Sequence, residues 1–126
     1  MMDYLLVALG GAFGAFSRYG LSSLWSTHIT TAPSWSGTLL INVVGGFLIG
    51  VFYALSQQEG ATWGGWSLLL ITGFCGGFTT FSTFGLELFH TLSEGQYLSA
   101  LLYVLLSVLL TLLAVAGGIS IIGIKH

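Results

Sequence analysis

Charge is the scarcest ingredient of this sequence: only 5% of its 126 residues are Asp, Glu, Lys or Arg, against about a quarter in an ordinary soluble domain. Two basic and four acidic side chains cannot coat a folded surface well enough to keep it dissolved. With no basic cluster, the electrostatic footprint of a nucleic-acid binder is missing, and so is a polybasic patch for anionic lipid. Cysteine occurs once, at Cys75, which excludes an intramolecular disulfide and leaves no second Cys at metal-ligand spacing. His28, His90 and His126 show no i, i+4 pairing that suggests a metal site. No Ser/His/Asp set, paired carboxylates or phosphate-binding loop occurs, and the GGAFG at 10–14 is followed by no soluble βαβ unit. Enzyme chemistry is therefore not expected. The opening Met1-Met2-Asp3 lacks the positive region of a cleavable signal peptide, and none is expected.

What is abundant is apolar: 55% of the chain is hydrophobic. Four apolar runs, at about 4–25, 37–55, 66–90 and 97–124, are separated by three short polar breaks, and the only proline, Pro33, lies in the first break. Each run has roughly the 20 residues that a membrane-crossing helix needs. None alternates with period two, and a closed barrel would need at least about eight strands. The expected fold is an all-α integral membrane protein, a single domain of four transmembrane helices. Orientation normally follows the Lys/Arg bias of the loops, but the only basic residues are Arg18, inside the first run, and Lys125. Insertion in both orientations, which permits an antiparallel dimer, therefore stands beside a single orientation set by one weak signal. Small residues four apart recur at Gly10 and Gly14, Gly46 and Gly50, and Gly73 and Gly77. In lipid such spacings are how helix backbones come close enough to pack.

The third run holds the most informative segment, GFCGGFTTFSTF at 73–84. Paired glycines followed by hydroxylated and β-branched residues make weak helix. A break here would free carbonyls at bilayer depth, a device that discontinuous helices use to bind cations; the alternative is an unbroken helix whose hydroxyls bond back to its own carbonyls. Thr38 and Asn42 share a face of the second helix, and Tyr103, Ser107 and Thr111 form one hydroxyl track on the last. Phe81 and Phe84 face the same way if the segment after the break is helical. All these polar groups are neutral. A track of donors without titratable members suits a permeating anion better than a proton relay. Arg18 reads as a vestibule cation that draws anions or as a helix-end anchor. Glu87 either lines a water-filled mouth or marks the interface.

These residues resemble a known family. The segment 73–84 with Glu87 three residues on, the GTLLINVVGG at 37–46 and an arginine in the first span are similar to the Fluc, or CrcB, fluoride channels, over essentially the whole chain. The resemblance implies an antiparallel, dual-topology homodimer in a bacterial inner membrane, with passive fluoride-selective flux that lowers cytoplasmic fluoride. It implies a path lined by Asn42, Phe81 and Phe84, with Thr80, Ser82 and Thr83 nearby and the track of Tyr103, Ser107 and Thr111. It also implies a structural sodium ion at the dimer centre, held by the backbone carbonyls of Gly76 and Thr79. A small four-helix, proton-coupled multidrug exporter is the alternative. That class relies on an embedded acid in its first span, where this chain has Arg18 and only a terminal Asp3.

Overall fold

The computed structural model describes residues 1–124; Lys125 and His126, which entered the sequence argument, lie outside them. Helix α1 covers Met2–His28 and α2 covers Ser36–Ser56. The third stretch, α3, is α-helical at Gly65–Ser67, π-helical at Leu68–Cys75 and α-helical again at Gly76–Phe78. The chain then opens, with Thr79 extended at φ −83° and ψ 157°. It re-forms helix as α4 at Ser82–Ser93, and α5 runs Tyr97–Ile122. There is no strand among the described residues.

Three stretches are long and apolar enough to cross a bilayer: Ser36–Ser56, Gly65–Ser93 and Tyr97–Ile122, with mean hydropathy 2.1, 1.4 and 2.6. Helix α1 is long enough at 27 residues but more polar, with Ser17, Arg18, Ser22 and Ser23 in its second half. Several helices outrun the apolar runs that predict them, because hydroxyls bond back to the preceding turn. In α1, Thr27 Oγ1 donates to Ser23 O (2.8 Å); in α4, Ser93 Oγ donates to Phe89 O (2.9 Å). Helix α4 is closed by Gly95, whose φ of 74° suits the left-handed residue after a helix, and Gln96 N–H reaches back to Thr91 O (3.1 Å).

Two pairings dominate the packing, α1 on α3 and α2 on α5. Both run along the glycine spacings seen in the sequence. A Cβ at Gly10 would fall onto the Leu69 carbonyl oxygen, and one at Gly14 onto that of Phe74. Across the other seam, Cβ atoms at Gly50 and Gly118 would collide with the Val115 and Phe47 carbonyls. Only hydrogen fits at these positions, so backbone meets backbone and dispersion supplies the adhesion that water supplies elsewhere. Gln58 Nε2 donates to Gly123 O and ties the α2 terminus to the end of α5.

Candidate functional site around the helix break

The sequence leaves a break or an unbroken helix open at 73–84, and the structure has the break. Its geometry follows from where the backbone groups go. In a continuous helix Thr80 N–H would bond the Gly76 carbonyl, and Thr83 N–H that of Thr79. Instead Thr80 N–H donates to Asn42 Oδ1 (2.9 Å) and Thr83 N–H to Thr80 Oγ1 (3.3 Å). Asn42 completes the exchange by donating Nδ2–H to Thr80 O (3.0 Å), so one side chain on α2 pairs with both backbone groups of one residue. Three positions further on, Gly45 makes room for Thr79, whose methyl occupies the space a Cβ would take. From the opposite side, Arg18 Nε donates to Gly77 O (3.2 Å). Thr79 also back-bonds through Oγ1 to Cys75 O (2.8 Å), so one element of the unbroken-helix reading survives beside the break.

The break opens onto a groove of about 760 Å³ between α2, α3 and α5, and Asn42, Gly76, Thr79, Thr80, Phe81, Phe84, Ser107 and Thr111 all line it. Most of the site residues expected from the sequence are thus brought together. Phe81 is 83% exposed. Its ring stacks on Phe84 with centroids 5.5 Å apart, so the two do face one way. Ser107 presents a buried Oγ with no hydrogen-bond partner among the described residues. Among the described residues, no charged one lines the groove.

Tyr103 stands apart from the rest of its track. It is fully buried, at 0% exposure, between Trp35, stacked at 4.6 Å, and the ring of Phe84, which meets it edge-on at 4.8 Å. Its hydroxyl donates to Glu87 Oε2 (2.9 Å), and Thr38 Oγ1 donates to Oε1 of the same carboxylate (2.6 Å). Glu87 is therefore the acceptor at the centre of a cluster behind Phe84. Thr38, taken with Asn42 as one stripe, serves a different part of the site. Thr83 lies in a second cleft of about 140 Å³ with Arg18, Tyr19, Ser22, Thr38, Ile41 and Thr80. Ser82 is exposed at the start of α4 and lines neither cavity.

Two contributors escape the sequence reading: Trp35, whose Nε1–H donates to Ser99 Oγ (2.9 Å), and Ser99 itself. The signal was present, since Trp35 precedes Thr38 by three residues and so shares its helix face. For a cation, the carbonyls of Gly76 and Thr79 fit the requirement, because the N–H groups that would cap them in a continuous helix are engaged elsewhere and both residues line the groove. Among the described residues there is no cluster of three or more His, Cys, Asp or Glu that could hold a metal, and the oxygens that line the groove are neutral ones, these carbonyls among them.

Comparison with known proteins gives concordant results. Residues 5–119 match the family model described as "CrcB-like protein, Camphor Resistance (CrcB)". The chain is 47% identical over 104 residues to a fluoride-specific ion channel FluC of Leptospira interrogans serovar copenhageni, covering 82% of this chain and 81% of that protein. It is 40% identical over 116 residues to the protein of the same name in Saccharophagus degradans (92% and 86% covered). With that of Pseudomonas putida it shares 41% over 120 residues (95% and 93%).

Proposed function

The chain belongs to the CrcB-like family, and from that premise we propose that it is a fluoride-selective channel, a multi-pass membrane protein that lets fluoride leave the cell passively. It is a transporter and not an enzyme. The observation that carries the reading is the groove at the break, where two phenylalanine rings and uncharged hydroxyl and amide groups converge with no charged residue among the described ones that line it.

Fluoride is small and holds its water tightly, so a path must replace that water with donors. The unpartnered Ser107 hydroxyl and the hydroxyl of Thr111 supply them on α5. Asn42 has a second amide hydrogen beyond the one given to Thr80. A ring's positive edge suits an anion that has shed its water, and Phe81 and Phe84 both line the groove. Moderate sites in series allow the ion to leave again, which one fixed cation in the path would not. Tyr103 and Thr83 border this path from the buried cluster and the second cleft, Thr80 and Ser82 stand at the break, Arg18 braces the break from α1, and Glu87 anchors the cluster behind Phe84.

We further propose that α1 joins the three more apolar stretches as a fourth span, and that two copies insert in opposite senses. A groove that leaves Phe81 83% exposed supports closure by a second copy, and the scarcity of Lys and Arg leaves orientation unbiased. The carbonyls of Gly76 and Thr79 from both copies would hold a sodium ion, whose charge would offset their exposure and stiffen the interface. The setting is a bacterial inner membrane. A proton-coupled multidrug exporter is not favoured, because the one charged residue in the body of α1 is Arg18, bonded to the break.

The test is efflux from liposomes containing the purified protein. Electrogenic fluoride loss without a pH gradient, and without chloride loss, is expected. Vesicles that retain fluoride as empty ones do would end the proposal. Labels placed on either terminus should be reached from both faces of the membrane, and strictly one-sided labelling would count against the antiparallel pair.

A further inference from the structure

We propose that Arg18 is a positioning residue of the break: its Nε–H holds the Gly77 carbonyl in place, and permeation depends on this donor rather than on the guanidinium charge. The inference deepens the fluoride-channel reading and rests on it.

The contact is fixed by packing. Gly11, Gly14 and Arg18 follow one another at i, i+3 and i+7 along one face of α1. A Cβ at Gly77 would meet Gly11 O at 2.5 Å and Gly11 Cα at 2.9 Å, while one at Gly14 would meet Phe78 N at 2.8 Å. The α1 backbone therefore lies directly against residues 77 and 78. At such close approach the group that reaches Gly77 O is the inner nitrogen of the guanidinium, Nε, at 3.2 Å. Arg18 also lines the cleft of about 140 Å³, with Tyr19, Ser22 and Thr83, and Nε makes its one side-chain hydrogen bond among the described residues. The donor and the charge of this side chain are therefore separable by substitution.

The position of the bond gives it a purpose. Gly77 sits between Gly76 and Thr79, the two residues whose carbonyls the break releases. Its own carbonyl would otherwise await the Phe81 N–H across an extended Thr79. With Gly77 O held from α1 and both backbone groups of Thr80 held from α2, the segment is fixed at both ends. The released carbonyls and Phe81 then keep one arrangement.

Glutamine separates the two roles, because its Nε2 hangs from Cδ as the Nε of arginine does, and it is uncharged. Arg18→Lys keeps the charge and lacks a donor at that atom; Arg18→Met keeps only the stem. Each variant, purified and shown by size exclusion to assemble as the wild type does, is measured in two ways. One is fluoride efflux from liposomes. The other is maleimide labelling of Cys75 in detergent. Cys75 is the only cysteine, it is 1% exposed, and its carbonyl accepts both donors of Thr79. Arg18→Met and Arg18→Lys are expected to lose roughly tenfold in flux and to label Cys75 faster by a similar factor, about the worth of one hydrogen bond. Arg18→Gln should recover most of both losses. Arg18→Lys behaving as wild type while Arg18→Gln does not would assign the role to charge and overturn the proposal. Three variants alike in both measurements would overturn it too. A wild type without flux would remove the channel reading alone, and the labelling pattern would still decide the positioning role. Should Arg18→Met or Arg18→Lys fail to assemble, the other decides against Arg18→Gln by the same contrast. Should Arg18→Gln fail, Arg18→Lys as impaired as Arg18→Met upholds the proposal and Arg18→Lys at wild-type values overturns it.

Discussion

The seam between α2 and α5 and the break after α3 are made of the same residue types, glycine and threonine, with opposite outcomes. In the seam, Gly46, Gly50 and Gly118 each lie against the backbone of the facing helix, and Thr111 packs on Gly46. Both helices there run unbroken. At the break, a Cβ on Gly76 would meet nothing within 4 Å, and the chain leaves helical geometry at Thr79. Weak helix propensity is common to both places, so propensity cannot be the cause of the difference. What differs is the partner. In the seam helix meets helix along its length, whereas at the break the α1 contact stops at Gly77 and Phe78, and polar side chains, Asn42 and Arg18, take over hydrogen bonds the helix gives up. Without them the freed backbone groups would stand unsatisfied at bilayer depth.

The contrast can be broken most severely in the seam. Gly50→Leu forces a side chain into the Val115 carbonyl and should destabilise the fold by about 3 kcal/mol or more. The expected result is loss of a monodisperse species on size exclusion, and an unchanged elution profile would refute backbone contact there. Next in size is Phe81→Ile, which removes an exposed ring and should leave assembly intact. Its fluoride efflux should fall by at least roughly tenfold, as expected when a binding edge is lost from a selective path. Unaltered efflux would take Phe81 off the path. Asn42→Leu sharpens the comparison by removing the substitute partner at the break. It leaves two backbone groups of Thr80 unpaired and should cost about 2 kcal/mol in thermal stability. Asn42→Asp, which keeps the acceptor and loses the donor, should fall in between. Equal stability of all three forms would show that the break holds without α2. The smallest effect is reserved for Ser107→Ala. Its hydroxyl bonds nothing in the described chain, so melting should move by no more than about 0.5 kcal/mol while efflux drops measurably.

The apolar runs and the break were legible in the sequence for the same reason: both are local. A run of apolar residues declares a spanning helix, and Gly76-Gly77 followed by Thr79-Thr80 declares a weak point. Helix ends were read short because Thr27 and Ser93 look like loop residues until their hydroxyls are seen bonding one turn back. The π-helical form of Leu68–Cys75 left no mark in composition. Partnerships were the least visible part. Thr38 with Glu87 and Arg18 with Gly77 join residues 49 and 59 positions apart, and no periodicity along one helix encodes which residue of another it will meet. The sequence therefore identified Arg18 and Glu87 as unusual without showing that each has a specific bonding partner.

The exposed position of Phe81 has a genetic corollary. If each groove is closed by a second copy, a chain damaged at this face will still be drawn into mixed pairs with intact ones. A defective allele carried beside the normal gene should then lower fluoride tolerance further than halving the gene dose does. Inheritance of such a defect would be dominant, although the lesion itself merely abolishes a passive leak.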